Sequence, residues 1–598
     1  MVLPPPVPAA PVGVSTVAGD NTITLGWSSV TYADSYSIYR STASGNIGTK
    51  IASTGGVSYH ADSVSNGMTY NYSVTASDSA GESVPSSEVS ATPNAPAGPI
   101  TIGGTVQYQD KEYDVSGFTG NQPYKAVRHA TIELINATTS SVLYSTTTDL
   151  TGLYSIPTTT STTAVYVRVK AEATLSGSDP QIMVNNLSGN LYAVGGNNFV
   201  PSGPANVNIS VHTSSVGGAF NMLDVFTNGI QFVYSLSGTY SPVPLYGIWQ
   251  TGNQNGTYYC NPTIGCPTDE IHVLNYAGDT DEYDDDVLYH EFGHFTAAHF
   301  SQDDSPGGPH MLTNNDLDMR LTWSEGWGDS MPGHVKMWLN STNPGLLSSS
   351  GVPLTEHVDT YGSGAGIAID MDNPGGYPYC YATGEVAIAK ILLDTDQKYG
   401  MDKVWSVLSD FQANPPLTPT ANLELFWDRW NSKGYPSLQS IFNNRLINYS
   451  DLYTSDTFST ATAYLNFPQV HRIYPDGDFD LVSFNTNTNK LYTVSTSILL
   501  NGADTYIEVY NQNKQQVAAN DNGNGYSSSQ YAVPSENLSL GLCDQYGICH
   551  DNRSDGLRSS KQFQALSTGP YFVKIYSSPN RPVSAGRYGS YMLTITSP

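Results

Sequence analysis

The sequence predicts a multidomain fold in which β-sandwich modules lie on both sides of a segment of mixed α and β structure. The chain has 598 residues, which at roughly 150 residues per domain corresponds to about four domains. Short runs of alternating large and polar residues occupy both ends, whereas apolar residues follow a helical period within 217–460. Charged side chains make up only 13% of the chain, against ~25% in a typical globular protein, so Ser, Thr, Asn and Tyr must supply surface polarity. This composition is typical of extracellular β-rich proteins.

Residues 8–95 carry the first set of strand patterns. Large side chains alternate with small or polar ones at 23–27, 36–40 and 70–74, as in half-buried strands. Several short strands, an early Trp27 and a late Tyr-x-Tyr pair predict a sandwich. The segment resembles a fibronectin type III module. Such modules act as spacers or binding surfaces, and we assign no chemistry to this one.

A second β segment extends over 96–200. Strand-like runs lie at 104–106 and 130–134, and the run at 148–154 contains Asp-Leu-Thr-Gly-Leu-Tyr. This order is similar to that of the transthyretin-like, or carboxypeptidase regulatory-like, domain. The resemblance implies a second β-sandwich ahead of the mixed segment.

The tail, 463–598, returns to strand patterns. Its clearest runs are 478–484, 506–510 and 571–575. The tail resembles the pre-peptidase C-terminal domain, a β-sandwich found on secreted bacterial peptidases.

The mixed segment, 201–462, contains the predicted helices 386–393 and 423–430 and a motif with metal-binding spacing. That motif is His290-Glu291-Phe292-Gly293-His294. On a helix the two histidines share a face and can both reach one zinc ion. Glu291 is offset toward the open coordination position, where it can accept a proton from water. The alternative is a pair of histidines on a helix surface. Three aspartates just upstream, 284–286, can cap this helix.

A zinc site needs a third protein ligand. The metzincin pattern would place a glycine and a histidine where this chain has Ala297 and Phe300, so that pattern fails. Glu325, 31 residues after His294, is a better candidate. Asp329 follows it by four residues, so one helical face carries two carboxylates. One of them suits a zinc ligand, and the other suits an acceptor for a ligand histidine N–H.

Here the chain resembles the gluzincin metallopeptidases, whose pattern is H-E-x-x-H with a downstream glutamate on a second helix. The resemblance implies zinc ligation by His290, His294 and Glu325. It also implies Glu291 as general base and Asp329 as support for His290. The expected fold is therefore a set of all-β sandwich modules flanking a mixed α+β, gluzincin-like zincin catalytic domain.

Two tyrosines are candidates for stabilising an oxyanion. The run Tyr-Ala-Thr-Gly-Glu-Val starts at Tyr381 and looks like the tyrosine-bearing helix start of aminopeptidase-type gluzincins. The resemblance implies that the Tyr381 hydroxyl holds the oxyanion of the tetrahedral intermediate, with Tyr379 as the second choice. A structural tyrosine is the alternative, since the chain has 41 tyrosines.

Further candidates concern the substrate. The ligand spacing is longer than in thermolysin-like members, so we expect an inserted loop at 301–320, in which His310 polarises the substrate or is an ordinary loop residue. The run 270–277 reads as a strand. In gluzincins the corresponding edge strand pairs with the substrate backbone, which makes Asn275 and Ala277 candidate contacts. The exopeptidase signature Gly-x-Met-Glu-Asn is absent, which favours an endopeptidase.

The five cysteines indicate an oxidising compartment. Cys260 and Cys266 are six residues apart, as are Cys543 and Cys549. Both pairs lie in loop-like sequence, so two short disulfides are favoured over free thiols. We expect Cys380 to be a small buried hydrophobe.

Charge and hydropathy exclude several function classes. The net charge of −28 disfavours binding to nucleic acid or to anionic membranes. No stretch reaches the ~18 apolar residues of a membrane helix, and no signal peptide is visible at the N-terminus. Acidic clusters at 279–286 and 520–524 offer oxygen ligands for Ca²⁺, but neither fits the EF-hand loop, so solvated turns are favoured over ion binding.

These observations together predict a secreted, zinc-dependent endopeptidase that acts as a monomer on extracellular proteins, including glycoproteins. Two alternatives stay open. One is a catalytically inactive adhesin or carbohydrate-binding surface protein. The other is a zinc hydrolase that cleaves a non-peptide bond.

Overall fold

The computed structural model describes residues 6–597 with internal gaps. Within 6–597 the structure does not describe the following residues: 62–63, 95–98, 277, 315–316, 318, 348–351, 362–363, 373, 375–381, 383, 415–420, 446, 448–456, 465–468, 474–477, 501–504, 522–558 and 578–588.

The first segment folds as a sandwich of two antiparallel sheets. Its strands are β1 (Ser15–Ala18), β2 (Ile23–Gly26), β3 (Ser35–Ser41), β4 (Thr49–Thr54), β5 (Ser58–Ala61), β6 (Tyr70–Asp78), β7 (Gly81–Glu82) and β8 (Val89–Ala91). One sheet has the order β1-β2-β5, and the other has β4-β3-β6-β7 with β8 also on β6. Ile23 and Leu25 are fully buried on either side of an exposed threonine, because alternate residues of a strand face opposite sides. The three predicted strands are confirmed.

Twelve strands follow between residues 99 and 211 in the described part of the chain, ten of them within the second segment. They are β9 (Pro99–Gln109), β10 (Tyr113–Asp114), β11 (Gly117–Phe118), β12 (Tyr124–Ala126), β13 (Ala130–Asn136), β14 (Val142–Thr147), β15 (Leu153–Thr159), β16 (Val165–Ala173), β17 (Ile182–Asn185), β18 (Ala193–Gly195), β19 (Ala205–Asn206) and β20 (Ile209–Val211). The predicted run 148–154 is mostly a turn. The Asp149 carboxylate accepts the N–H groups of Thr151 and Leu153, so β15 begins only at Leu153.

The structure differs from the expected domain division at residue 200. The next strands are β21 (Leu245–Trp249), β22 (Tyr258–Cys260), β23 (Asp269–Val273), β24 (Asn275–Tyr276) and β25 (Asp279–Thr280). They continue the sheet of the second segment in the order β14-β13-β16-β17-β21-β23-β22. Parallel pairing of Ile182 with Leu245 joins the two parts, and one apolar core extends from Ile102 to Ile447. The expected modules 96–200 and 201–462 therefore share a sheet and a core.

Helices cover one region of this shared core. They are α1 (Gly217–Ser237), α2 (Asp285–Phe300), α3 (Met319–Thr342), α4 (Glu385–Tyr399), α5 (Met401–Ala413), α6 (Leu423–Ser432) and α7 (Gln439–Asn443). A hairpin of β26 (Glu356–Tyr361) and β27 (Gly364–Asp370) lies between α3 and α4 in the chain. The predicted helices 386–393 and 423–430 fall within α4 and α6 and are confirmed.

The tail forms a second two-sheet sandwich. Its strands are β28 (Thr462–Ala463), β29 (Gln469–Ile473), β30 (Phe479–Thr486), β31 (Leu491–Leu500), β32 (Thr505–Tyr510), β33 (Gln516–Asp521), β34 (Ser560–Gln564), β35 (Gly569–Ser577) and β36 (Gly589–Thr596). The sheet orders are β28-β30-β35-β32-β33 and β29-β36-β31-β34. The three predicted runs lie in β30, β32 and β35 and are confirmed.

The sequence also predicts two short disulfides and no membrane-spanning helix. Cys260 and Cys266 form the expected disulfide. Cys380, Cys543 and Cys549 lie outside the described residues. None of the described helices is long and apolar enough to cross a membrane.

A buried ion pair tests whether the two parts of the shared core are one unit. Arg128 donates through Nε to Oδ1 of Asp224 in α1 at 2.8 Å, and the pair is almost fully buried. We expect Arg128→Ala to lower the free energy of unfolding by about 3–5 kcal/mol, because it leaves a buried carboxylate unpaired. Arg168→Ala is the control, since its ion pair with Glu133 is about one-third exposed and should contribute less than about 1 kcal/mol. Urea denaturation measures the free energy of unfolding of both variants. An equally small decrease in the two would contradict a shared core.

Candidate metal centre

Two histidines of α2 and one glutamate of α3 converge at one point. Nε2 of His290 lies 3.2 Å from Nε2 of His294. Oε2 of Glu325 lies 3.4 Å from the first of these nitrogens and 3.5 Å from the second. The structure therefore brings together the three residues that the sequence predicts as ligands.

The spacing of these atoms fits a zinc ion. Ligand atoms at ~2.0–2.1 Å from a tetrahedral zinc stand about 3.3 Å from one another. The separations of 3.2, 3.4 and 3.5 Å match the edges of such a tetrahedron. Two imidazole nitrogens and one carboxylate oxygen are also a donor set that zinc accepts. The residues present therefore fit a bound zinc ion.

Hydrogen bonds on the far side of each imidazole assign its tautomer. Nδ1 of His290 lies 3.0 Å from Oδ1 of Asp329, which as a carboxylate can only accept, so this nitrogen carries the hydrogen. Nδ1 of His294 lies 3.2 Å from the Ser324 hydroxyl, which itself donates to Asp303 at 2.8 Å. Both Nε2 lone pairs consequently face the same point. Such lone pairs repel unless a cation lies between them.

The charges around the cluster favour a cation. Burial lowers the pKa of His290, but its contacts with Asp329 and Glu325 outweigh burial and raise this pKa well above the usual value. The pKa of His294 is also raised, because the Glu325 carboxylate outweighs burial. Burial acts to raise the pKa of Glu325, yet His294, His290 and His310 hold it far below its usual range. The carboxylates thus favour positive charge on the imidazoles, and the imidazoles favour negative charge on Glu325.

Glycines allow the helices that carry these ligands to approach closely. A Cβ on Gly293 of α2 would lie 2.9 Å from Cα of Gly328 in α3. A Cβ on Gly328 would lie 2.9 Å from the His290 ring. On the other face of α3, a Cβ on Gly326 would lie 2.5 Å from Cβ of Ile388 in α4. Any larger residue would therefore move the helices or the His290 ring.

Asp284, the residue before α2, makes no side-chain cap hydrogen bond, contrary to expectation, whereas Asp285 and Asp286 lie in the first turn of the helix as expected. Asp284 accepts the N–H of Thr360 in β26 at 2.9 Å, and Asp286 accepts from Lys336 of α3. Their carboxylates bond to neighbouring elements because these elements pack directly on the first turn of α2. They therefore fix the position of α2 and with it the orientation of both histidines.

Glu291 lies against the edge of the large sheet. The N–H of Tyr259 in β22 donates to its Oε2 at 2.7 Å, and the side chain is largely buried. β22 is the last strand on this side of the sheet, because it covers β23. The run 270–277 was expected to be the edge strand, and this expectation is wrong: the chain turns back at the disulfide and adds β22 outside it.

Asn275 and Ala277 were expected to contact substrate. Oδ1 of Asn275 accepts the N–H of Gly252 at 2.9 Å, and its Nδ2 donates to Glu282 at 2.9 Å. Both ends of the amide are therefore used inside the protein, and the expectation for Asn275 is not met. Ala277 lies outside the described residues.

His310 lies at the cluster, on the long connection expected between α2 and α3. Its Nδ1 donates to the carbonyl of Gly308 at 3.1 Å. Its Nε2 lies 3.3 Å from Oε2 of Glu325 and 3.9 Å from Oε2 of Glu385. The hydrogen bond to Glu325 raises the pKa of His310 to about 9. The sequence allowed two interpretations of His310, a residue at the site or an ordinary loop histidine. Its position at the cluster agrees with the first.

A cavity of about 460 Å³ opens beside the cluster. Its polar lining includes the following side chains: His290, His310, Glu325, Asp329, His357, Asp359 and Glu385. The last three were not found from the sequence. His357 and Asp359 are two residues apart in β26, so an alternating strand pattern would have put them on one face. Glu385 is the first residue of α4, and burial raises its pKa to about 8.

Tyr381 and Tyr379 lie outside the described residues. Their assignment to the oxyanion stays a prediction.

Comparison with known proteins relates parts of the chain to β modules. No protein-family profile matches the chain. An amylopullulanase from Thermoanaerobacter thermohydrosulfuricus is 45% identical over 87 residues, which are 14% of this chain and 6% of that protein. The chain thus spans a small fraction of the length of this curated relative.

Two solved structures represent the two kinds of similar module. An Fn3-like protein from Clostridium thermocellum shows 33% identity and a TM-score of 0.14, covering 15% of this chain and 94% of that one. The pre-peptidase C-terminal domain of a collagenase from Bacillus anthracis shows 15% identity and a TM-score of 0.15, covering 23% and 94%. The similar structures are therefore fibronectin type III-like and pre-peptidase C-terminal-like β domains.

The bond between Asp329 and His290 predicts a measurable effect on metal binding. We expect Asp329→Ala to weaken zinc binding ~10–100-fold, because the ring orientation and tautomer of His290 are no longer fixed. Competition with a chromophoric chelator measures the affinity. Asp396→Ala is a matched control, since Asp396 accepts from Nδ1 of His334 at 2.7 Å between α3 and α4, away from the cluster. Unchanged zinc affinity in Asp329→Ala would contradict the assignment.

Proposed function

We propose that the chain is a secreted zinc-dependent endopeptidase that hydrolyses peptide bonds of extracellular proteins, including glycoproteins. The observation that carries this proposal is the convergence of His290, His294 and Glu325 at tetrahedral spacing. Glu291 is adjacent to the first of these in α2. In this proposal residues 201–462 contain a gluzincin-like catalytic site, built on a core shared with the preceding segment.

Zinc would be held by the Nε2 atoms of the two histidines and by the Glu325 carboxylate. Zinc, when bound, supplies a Lewis acid that polarises a carbonyl group and makes water more acidic. Asp329 keeps the lone pair of His290 on Nε2, and the Ser324–Asp303 pair does the same for His294.

Glu291 is the general base of the proposal. The N–H of Tyr259 holds its Oε2, which leaves Oε1 as the atom we assign to proton transfer. There it takes a proton from the attacking water and later delivers it to the leaving amine. Tyr259 of β22 lies opposite Ile271 of β23. Its N–H donates to Glu291 rather than to β23, so this N–H faces away from the sheet. An extended peptide added to this edge would pass beside the base.

Two further side chains are assigned to the carbonyl oxygen of the substrate. His310 lines the cavity, and its Nδ1 bonds Gly308. We assign its Nε2, which lies 3.3 Å from Oε2 of Glu325, to the substrate oxygen when Glu325 instead binds zinc. Tyr381 is the second donor. Glu385, which is four residues after Tyr381 in the sequence, lines the same cavity. Both groups would stabilise the negative charge that develops on this oxygen.

Secretion and a monomeric state also belong to the proposal. The Cys260–Cys266 disulfide supports an oxidising compartment, because such bonds are rare in reducing cytosol. Catalytic inactivity and hydrolysis of a non-peptide bond are the alternatives, and each is an outcome of the following test.

Glu291→Gln tests the proposed reaction. We expect zinc content and thermal stability to be kept while hydrolysis of casein falls by about 10²–10⁴-fold, because the amide cannot accept the proton. Product mass spectrometry on casein and on a mucin-type glycoprotein measures the cleavage, with and without 1,10-phenanthroline. Chelation should abolish the cleavage, and added zinc should restore it.

Glu88→Gln is the matched control, since Glu88 is exposed on the first sandwich, and it should keep full activity. Full activity of Glu291→Gln would overturn the assigned base. Zinc-loaded wild-type chain that cleaves neither protein would overturn peptidase function and favour an adhesin or a different hydrolase.

A further inference from the structure

A second group of carboxylates lies beside the proposed catalytic cleft. Oxygen atoms of Asp279, Asp281 and Asp359 all lie within 4.8 Å of one another. Asp279 belongs to β25 and Asp281 to the short 3-10 turn that leads into α2, whereas Asp359 belongs to β26. Two chain segments about 80 residues apart thus place three negative charges at one point.

These carboxylates are buried with part of their bonding capacity unused. Asp281 is only 5% exposed, and its Oδ1 receives no hydrogen bond from a donor group within the described part of the chain. The neighbouring carboxyl group of Asp279 can bond Asp281 only if the two share a proton. Oδ2 of Asp281 accepts from the Thr257 hydroxyl. Oδ1 of Asp279 is likewise buried and receives no hydrogen bond from a donor group there. A buried carboxylate oxygen at 5% exposure, close to two further carboxylates, must be neutralised by a bound cation or by a proton.

No basic side chain supplies a positive charge to the cluster in the described residues, where the ion pairs of Lys and Arg involve other acids. By contrast, the buried carboxylate of Asp286 is neutralised, because Nζ of Lys336 lies 2.8 Å from its Oδ1. Burial, together with repulsion from Asp279 and Asp359, raises the pKa of Asp281 to about 8. Burial and the charge of Asp279 raise the pKa of Asp359 to about 6. Without a cation the three carboxyl groups therefore resist full ionisation at neutral pH.

We propose that Asp279, Asp281 and Asp359 form a binding site for a hard divalent cation, with Ca²⁺ as the ion that fits best. The donors are all carboxylate oxygens, which Ca²⁺ prefers, whereas zinc prefers the imidazoles found at the other cluster. Three carboxylates supply part of the six to eight oxygens that Ca²⁺ takes, and water completes the set.

The ion would join two elements of the cleft. Asp281 lies four residues before the first residue of α2, and Asp359 lines the cavity beside His357. Thr360, next to Asp359, already bonds Asp284 at the start of α2. A cation shared by Asp281 and Asp359 would therefore hold the β26 wall of the cleft against the helix that carries the two histidines.

This proposed site differs from the sequence-based expectation for the acidic run 279–286, which favours solvated turns over ion binding. Asp281, Glu282 and Asp284 are buried, so the run is not a solvated turn. The third carboxylate comes from Asp359, which no local pattern links to the run. The inference stands on this geometry and is independent of the proposed peptidase activity.

The test is calcium binding by the full chain. We expect added Ca²⁺ at millimolar concentration to raise the melting temperature by several degrees, because an ion that binds only the folded state stabilises it. Isothermal titration calorimetry should give one calcium equivalent. Asp281→Asn and Asp359→Asn should each weaken binding at least tenfold, and the second variant keeps the test valid if the first does not fold. Asp372→Asn, at the end of the same hairpin and half exposed, is the matched control and should bind as the wild type does.

A third variant separates this site from the zinc centre. His290→Ala should lose zinc but keep calcium binding and the calcium-dependent shift. Wild-type chain that shows no shift and no calcium heat would overturn the proposal, and so would Asp281→Asn and Asp359→Asn variants that bind as tightly as the wild type. A melting temperature that rises from pH 8 to pH 6 without any calcium effect would also overturn it, since protons would then neutralise the carboxylates.

Discussion

The close contact between α2 and α3 is the constraint on which the candidate centre depends. Each helical glycine costs roughly 1 kcal/mol relative to alanine, yet Gly293 and Gly328 occur where the two helices meet. A methyl group at either position would lie 2.9 Å from the opposing helix backbone or the His290 ring, and such overpacking costs about 1–3 kcal/mol. The steric term therefore outweighs helix propensity. The indole N–H of Trp327 also donates to the Gly293 carbonyl at 3.0 Å, which fixes the same contact.

Charge is the second organising factor, because the chain has 52 acidic and only 24 basic side chains. Most buried carboxylates near α2 must therefore be satisfied by groups other than Lys and Arg. Asp284 is satisfied by Thr360, and Asp285 accepts from Asn221 of α1 at 3.0 Å. Asp329 uses a histidine that itself faces the proposed zinc position. In this region the bonds that satisfy buried acids also position the residues of the site.

Local patterns in the sequence predict part of this arrangement, and tertiary packing determines the rest. The i, i+4 spacing places His290 and His294 on one face, and the same spacing relates Glu325 to Asp329, so helical geometry alone gives each pair. Strands of the two terminal sandwiches follow from alternation. By contrast, Asp359 reaches the cleft only because β26 packs on α2, a contact between distant segments. The expected domain boundary at residue 200 differs from the structure for a similar reason, because β17 and β21 pair although they are far apart in the sequence. Both strands are short, so their sequences do not indicate whether they belong to one domain or to two.

In the proposed centre, two imidazoles of α2 and a carboxylate of α3 hold one metal ion. Anomalous diffraction at the zinc absorption edge, from crystals of the purified chain, tests this arrangement most directly. We expect one dominant peak at ~2.0–2.2 Å from Nε2 of His290, Nε2 of His294 and an oxygen of Glu325. A peak at another group of side chains, or zinc-saturated crystals with no peak between these three residues, would contradict it.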